Sequence, residues 1–150
     1  MPTRQRPWPR QWLIVDRPPS EPDWQAIRHL RRGSGVLLVS PIHAEARRQL
    51  HAIARTRELM VVSERLGVRV HNQRELTRAM LRRAPMILIS PLFKTASHPD
   101  WRPLPRMRAG ALARLARRRA IALGGMNKKR YAKIASLGFI GWAGISAFRT

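Results

Sequence analysis

The sequence alternates between short apolar runs and longer segments whose apolar residues recur at helical spacing. The first two runs are Trp12–Val15 and Val36–Val39, and between them Trp24, Ile27 and Leu30 follow a helical period. This alternation is typical of a parallel sheet whose strands are joined by crossover helices. It predicts one α/β domain with about seven strands and about six helices in alternation.

The predicted strands are uninterrupted apolar runs, and the predicted helices have one apolar face. In the helix before Ala120, we expect Met107, Ala111, Leu112 and Leu115 to face the core and arginines to occupy the other face. The remaining strands are predicted at Leu59–Val62, Val68–Val70, Met86–Ile89, Ala120–Leu123 and within Phe139–Ile145.

The third and fourth predicted strands are too close in sequence to be ordinary neighbours. Only residues 63–67 separate Leu59–Val62 from Val68–Val70, whereas a parallel neighbour needs a crossover of roughly a dozen residues or more. An eight-unit barrel usually takes about 200 residues or more, and this chain has 150. We therefore predict a compact TIM-barrel-like βα repeat that is incomplete relative to an eight-unit barrel.

Residues 1–11 are rich in proline and arginine and lack apolar periodicity. Such a segment cannot bury an apolar face. We predict a disordered basic tail over residues 1–11 and a single folded domain over residues 12–150.

The charge of the chain points to anionic partners. Lys and Arg number 30 against 8 Asp and Glu, a formal net charge of +22, and such an excess attracts nucleic acid. The arginines are not gathered in one run, and no nucleic-acid reader motif accompanies them. The favoured interpretation is therefore that the arginines form solvated helix faces in an arginine-rich chain. The alternative is non-specific nucleic-acid binding through the basic surface.

Several classes of protein are excluded or disfavoured by what the sequence lacks. It contains no cysteine, which excludes disulfides, thiolate catalysis and cysteine-based zinc sites. No apolar stretch approaches the ~18 residues of a membrane span. Arg4, Arg6 and Arg10 are followed by too short an apolar run for a signal peptide. We expect a cytoplasmic protein without membrane association, and we assign no metal ligand and no oligomeric state.

Four motifs follow one another from residue 67 to residue 148. Their order and spacing resemble the thiamine phosphate synthase/TenI family, and Trp12–Asp16 is similar to the opening strand of that family. The resemblance implies an α/β barrel that acts in thiamine biosynthesis or salvage on a thiazole phosphate. The motifs are Gly67-Val-Arg-Val-His71-Asn72, Ser90-Pro-Leu-Phe-Lys-Thr95-Ala-Ser97-His98-Pro99, Ala120-Ile-Ala-Leu-Gly124-Gly125-Met and Gly138 to Phe148.

The resemblance implies a phosphate cradle at Gly124, Gly125, Ile145 and Ser146. The residue types fit, because glycine lets backbone N–H groups approach an anion closely. The loops after the last two strands of a barrel commonly bind phosphate. The alternative is that Gly124-Gly125 is only a tight turn and that residues 144–146 are an ordinary strand end.

His71 resembles the histidine that TenI-type thiazole tautomerases use for proton transfer, and imidazole titrates near neutral pH. The alternative is a histidine that is merely hydrogen-bonded near a helix cap. Thr95 and Ser97 resemble loop residues close to the substrate. His98 is the weaker candidate, because histidines in loops are usually only exposed to solvent. It also stands where a synthase usually has a lysine.

The middle of the chain departs from the synthase pattern. The second strand continues as Val39-Ser40-Pro41, the third reaches Ser63 and Glu64, and the unit with the metal-binding aspartate is absent. The resemblance implies Mg²⁺ as a cofactor only if synthase activity is retained. Tautomerase-like proton transfer requires fewer groups than synthesis, namely a phosphate cradle and one acid–base residue. An enzyme is therefore the favoured interpretation. The alternatives are a non-catalytic phosphate-ligand binder and a basic nucleic-acid-binding protein.

Overall fold

Seven strands and five α-helices make up the part of the chain that the computed structural model describes, residues 6–149 without the side chain of Glu64. The strands are β1 (Gln11–Val15), β2 (Gly35–Leu38), β3 (Met60–Ser63), β4 (Gly67–Val70), β5 (Met86–Ile89), β6 (Ala120–Ala122) and β7 (Gly141–Gly144). The helices are α1 (Glu21–His29), α2 (Ala44–Arg57), α3 (Gln73–Leu81), α4 (Arg106–Leu115) and α5 (Lys128–Ile134). Single 3₁₀ turns occupy Glu64–Leu66, Ala135–Leu137 and Ser146–Phe148.

All strands are parallel to their neighbours and form one sheet in the order β3-β2-β1-β7-β6-β5-β4. The sheet curls into a half-barrel with helices between the strands, which confirms the predicted α/β, TIM-barrel-like fold. The count of about six helices was wrong for the described residues. No α-helix lies between β3 and β4, because only Glu64–Leu66 connects them.

The short link forces the two edges of the sheet toward each other. β3 and β4 are the edge strands, yet the last residue of one and the first of the other, Ser63 and Gly67, are only four positions apart. When paired residues are followed from strand to strand, Ala143 of β7 leads through β1 and β2 to Met60 of β3. Its neighbour Trp142 leads in the opposite direction, through β6 and β5, to Val70 of β4. One circuit therefore climbs about ten residues along the chain, as in a tilted barrel. β3 and β4 thus follow each other end to end.

The concave side of the sheet is filled by strand side chains alone. Trp12, Leu37, Met86, Leu88 and Ile121 are buried there with three further residues, and none of them comes from a helix. Packed interiors of this kind are the ordinary core of small barrels. The convex side divides into two other clusters, in which strand residues pack against helices.

The helix boundaries follow from local capping chemistry. The side chain of Asn72 accepts a hydrogen bond from the N–H of Glu75 at 2.9 Å, which begins α3. In the same way Asn127 accepts from the N–H of Arg130 at 2.8 Å and begins α5. These side chains satisfy N–H groups that the first helical turn leaves free.

The predicted inner face of α4 was largely wrong. Met107 is 86% exposed and Leu115 is 50% exposed, whereas Ala109, Leu112 and Ala113 are buried. Small alanines let the helix lie close to the sheet and leave the larger side chains outside. Only Leu112 of the predicted inward set packs in the core.

Residues 6–10 lead into β1, and residues 1–5 of the predicted tail lie outside the described residues. The carbonyl of Arg10 accepts a hydrogen bond from the N–H of Trp142 at 2.8 Å. The carbonyl of Pro9 accepts one from the indole of Trp12 at 2.9 Å. Over the described part of the chain, no helix is long and apolar enough to cross a membrane.

A side chain at Gly35 should destabilise the fold, because a methyl group there would overlap the ring of fully buried Trp12. We predict that Gly35→Ala lowers the free energy of unfolding by about 1–3 kcal/mol, the usual cost of overpacking a core. The matched control is Gly67→Ala, whose new methyl group would lie 3.5 Å from the sulfur of Met86. Denaturant unfolding of both variants tests this, and equal stability of the two would contradict it.

Candidate functional site

The carboxyl ends of the strands surround a cavity of about 640 Å³. Its wall is built by three loops: residues 90–101 after β5, residues 123–127 after β6 and residues 144–149 after β7. Asp16, at the end of β1, Arg69, in β4, and Arg130, in α5, also line it. In a parallel sheet these ends meet at one edge, so residues from distant parts of the sequence converge there.

The four residues predicted to hold phosphate all line this cavity, namely Gly124, Gly125, Ile145 and Ser146. Both glycines have left-handed backbone conformations, with φ of 101° and 59°. A side chain on Gly124 would come within 2.8 Å of the Cα of Pro91, and one on Gly125 would overlap the carbonyl of Lys94. The two glycines therefore let the β6 loop close onto the β5 loop, which is a structural role independent of any ligand.

The predicted substrate-loop residues Thr95, Ser97 and His98 line the same cavity. The hydroxyl of Thr95 accepts a hydrogen bond from the N–H of His98 at 3.1 Å. The ring of His98 stacks on Trp101, with centroids 4.0 Å apart and planes within 9°. These contacts hold an exposed loop in one shape over the cavity.

His71 lies beside the cavity and is not part of its wall. Its ring Nδ1 is 3.0 Å from Oε2 of Glu75, and its backbone N–H donates to the same oxygen at 2.8 Å. Its ring also meets Trp101 edge-on, with centroids 6.0 Å apart. Trp101 thus contacts both His71 and His98, and it does line the cavity.

The Glu75 carboxylate is held in its charged form by His71. Burial raises the pKa of Glu75, but hydrogen bonds from the backbone and ring of His71 lower it. The charges of His71 and Arg78 lower it further, so that the pKa of Glu75 lies below its ordinary value. An ionised Glu75 can accept a hydrogen bond from Nδ1–H and so fixes the orientation of the ring.

Four cationic side chains line the cavity against one carboxylate. The carboxylate is Asp16, and the cations are Arg69, Lys94, Arg130 and Arg149. Sequence reasoning identified none of the three arginines as site residues. The sequence did carry a signal for Arg69. Gly67, Arg69 and His71 are spaced two residues apart, and residues with this spacing in a strand lie on the same face of the sheet.

Arg130 is fixed against the glycine turn. Its Nη1 donates a hydrogen bond to the carbonyl of Gly125, and its guanidinium lies 5.0 Å from the centroid of the Phe93 ring. Asn127, which caps α5, sets the position of Arg130 through the backbone. The guanidinium therefore lies at the turn predicted to hold phosphate, with further N–H groups to donate.

Arg149 is anchored by a buried carboxylate at the start of α1. Its Nη2 pairs with Oδ1 of Asp23, while Oδ2 of Asp23 accepts hydrogen bonds at 2.8 Å from both the backbone N–H and the hydroxyl of Ser20. The Nε of Arg149 is buried and has no hydrogen-bond partner among the described residues. A buried donor of this kind is normally satisfied by a water or a ligand.

The pKa of Asp23 is shifted by the same contacts. Burial raises it, but the hydrogen bonds from Ser20 and the charges of Arg149 and Arg17 lower it. Together they bring the pKa of Asp23 below its ordinary value. The ionised carboxylate is thus the stable form, and it holds Arg149 at the cavity.

The cavity does not suit Mg²⁺. Magnesium in enzymes is usually held by one or two carboxylates together with substrate phosphates, and Asp16 is the single carboxylate among four cations. Among the described residues, no group of three or more His, Cys, Asp or Glu side chains could hold a metal ion. One carboxylate surrounded by four cations disfavours the binding of a divalent cation.

Comparison with known proteins gives a family and a fold. A family model described as thiamine monophosphate synthase matches residues 42–148, and no curated protein matches the chain. A solved structure that the chain resembles is a thiamine phosphate pyrophosphorylase from Pyrococcus furiosus, with a TM-score of 0.72 and 17% sequence identity. The match covers 92% of this chain and 86% of that chain. At such low identity the structural likeness shows the fold alone.

The Asp23 network predicts a pH-dependent contribution to stability. Because the pKa of Asp23 is lowered in the folded protein, its contribution is complete above the unfolded pKa of about 3.9 and is lost as the pH falls through the folded value. Asp23→Asn should lower the free energy of unfolding by about 1–3 kcal/mol at pH 7. The difference from the unsubstituted protein should shrink below pH ~4. Urea unfolding across this range measures both, and a difference that is constant with pH would contradict the assignment.

Proposed function

The chain belongs to the thiamine phosphate synthase/TenI family, and from that premise we propose that its cavity binds a thiazole phosphate. Family membership supports a role in thiamine biosynthesis. The observation that carries the proposal is the convergence of two loops, residues 124–125 and 145–146, with Lys94, Arg130 and Arg149 at one cavity. A phosphate monoester is the ligand chemistry that such a set of donors and cations recognises.

The electrostatics of the cavity support an anionic ligand. Four cations and one carboxylate leave an excess of positive charge in its wall, and partial enclosure strengthens each interaction relative to open water. The volume of about 640 Å³ lies within the range of about 300–1,000 Å³ that is usual for small-molecule sites.

The same proposal assigns proton transfer to His71. With Nδ1 directed to Glu75, the other ring nitrogen is available to take or give a proton at a bound ring, as in a tautomerase-like reaction. Trp101 lies against His71 and lines the cavity. His71 itself does not line the cavity. We therefore expect the indole of Trp101 to move so that the ring of His71 can reach a bound ligand.

Synthesis from two phosphorylated substrates is not part of the proposal. It requires groups that stabilise a leaving pyrophosphate, and the strands that would supply them include β2 and β3. Among the residues of these two strands, none lines the cavity. The alternative is a phosphate-ligand binder without catalysis, in which the contact between His71 and Glu75 only caps α3.

Phosphate recognition predicts that a thiazole phosphate binds far more tightly than the same thiazole alcohol. Lys94→Gln should weaken binding of the phosphate about ten- to a hundredfold, as expected for the loss of one charge-assisted hydrogen bond. Binding of the alcohol should not change. Isothermal titration calorimetry measures both.

The matched control is Lys133→Gln, which removes the same charge from the exposed side of α5, outside the cavity wall. Its affinity for the phosphate should equal that of the unsubstituted protein. If the phosphate and the alcohol bind equally well, or if neither binds, the phosphate cradle is wrong.

Proton transfer predicts a different pattern for His71→Ala. Interconversion of thiazole phosphate tautomers should slow by about 10²–10⁴-fold, the usual contribution of a general acid–base, while the affinity for the ligand stays within twofold. Glu75→Gln should slow it less, because the ring remains but is less firmly oriented. NMR of the ligand follows the reaction. Tight binding without any acceleration in the unsubstituted protein would establish the non-catalytic alternative.

A further inference from the structure

A second cationic surface lies at the amino ends of the strands, opposite the carboxyl ends that surround the cavity. Loops that follow helices lead into the amino ends of parallel strands, and two of them are neighbours because β5 and β6 are paired. The N–H of Ile87 donates to the carbonyl of Arg119 at 2.9 Å, and Nη1 of Arg119 donates to the carbonyl of Ala84 at 3.5 Å. These contacts join residues 81–85 and 114–119 into one continuous surface, which we call the arginine face.

The arginine face is strongly and uniformly positive. It contains six arginines and no acidic residue, and five of the six are exposed while Arg119 is half-buried. No acidic residue follows Glu75 in the sequence except Asp100, which belongs to the loop after β5 at the other edge. The six are Arg82, Arg83, Arg114, Arg117, Arg118 and Arg119.

This charge exceeds what the helices require. Cations in the last turn favour the negative end of the helix dipole, and Arg78 and Arg114 already occupy those positions in α3 and α4. Arg83, Arg117 and Arg118 lie beyond the helices with φ of 55°, 48° and 62°. Glycine or asparagine is the usual residue in such left-handed positions. The face therefore carries arginines where the backbone would favour glycine.

We propose that the arginine face binds the sugar–phosphate backbone of nucleic acid without reading its bases. The planar guanidinium matches a phosphate with two parallel hydrogen bonds, and phosphate contacts dominate non-specific binding. Neither segment contains an aromatic residue, an asparagine or a glutamine, so the face lacks the side chains that usually stack on bases or read adenine edges. Contacts to phosphates carry no sequence information, so the proposed binding is salt-dependent and independent of sequence.

The composition of the face favours nucleic acid over a membrane or a protein partner. Its exposed large apolar side chains are Leu81 and Leu115, which lie in separate segments. Insertion into a lipid interface requires a broad apolar face, and protein interfaces usually centre on buried aromatic or apolar anchors. Two leucines among six arginines provide neither.

The test uses the full chain and fluorescein-labelled 20-mers of single-stranded DNA, RNA and duplex DNA, each in two unrelated sequences. The unsubstituted protein should bind both sequences of a given type equally. If six phosphates are contacted, the affinity should fall about 10³-fold between 50 and 200 mM salt. The quadruple variant Arg82→Gln, Arg83→Gln, Arg117→Gln and Arg118→Gln should reduce the slope of log K against log salt by roughly 3.

Two control variants separate the surface from net charge and from folding. Arg28→Gln, Arg47→Gln, Arg48→Gln and Arg74→Gln together remove the same charge from exposed helix positions outside the face, and they should leave at least two thirds of the slope. The triple variant Arg83→Gly, Arg117→Gly and Arg118→Gly removes charge where glycine suits the backbone. It should melt at or above the temperature of the unsubstituted protein and still bind nucleic acid at least tenfold more weakly.

Three results would overturn the proposal. The first is equal loss of binding in the two quadruple variants, which would indicate a diffuse charge effect. The second is a clear preference for one oligonucleotide sequence. The third is no oligonucleotide binding at 50 mM salt, whether or not the protein binds vesicles containing an anionic lipid.

Discussion

The fold depends on one short connection, the passage from Ser63 to Gly67 between the two edge strands. A chain that must leave one edge of a parallel sheet and enter the other within four residues can do so only if the sheet curls and the strands are tilted. The stepwise register from Met60 to Val70 meets this condition. The curl then creates the closed interior around Trp12 and directs the strand ends to a common mouth.

The same constraint makes the loops around the cavity mouth unequal in length. Loops after β5, β6 and β7 are long enough to wall a cavity, and together with α5 they supply Lys94, Arg130 and Arg149. On the other side, β3 passes at once into β4, so no long loop there can carry acidic ligands. The result is a cavity wall with four cations and one carboxylate, the charge balance on which the proposal of a phosphate ligand rests.

Much of the fold could be predicted from the sequence because strand hydrophobicity and helix caps are local signals, such as Asn72 and Asn127. The inward face of α4 could not be predicted from its own sequence. The small alanines of this helix let it lie closer to the sheet than Met107 would, so the fit against the sheet decides which face is buried. At the site, glycines and loop residues were recognisable by type. Arg130 and Arg149 were not, because their positions depend on contacts with Phe93 and Asp23, which lie far away in the sequence.

The pairing of β1 with β7 has a consequence for biosynthesis of the chain. Strands β1, β2 and β3 can associate as soon as they are made, but the other side of β1 has no partner until β7 has been synthesised. Until then the edge of β1 is open and the ring of Trp12 lacks the cover of Ala143. Between the synthesis of β1 and that of β7 the nascent chain therefore exposes a pairing edge, and the cavity at the carboxyl ends of β5, β6 and β7 is completed only after β7 has been made.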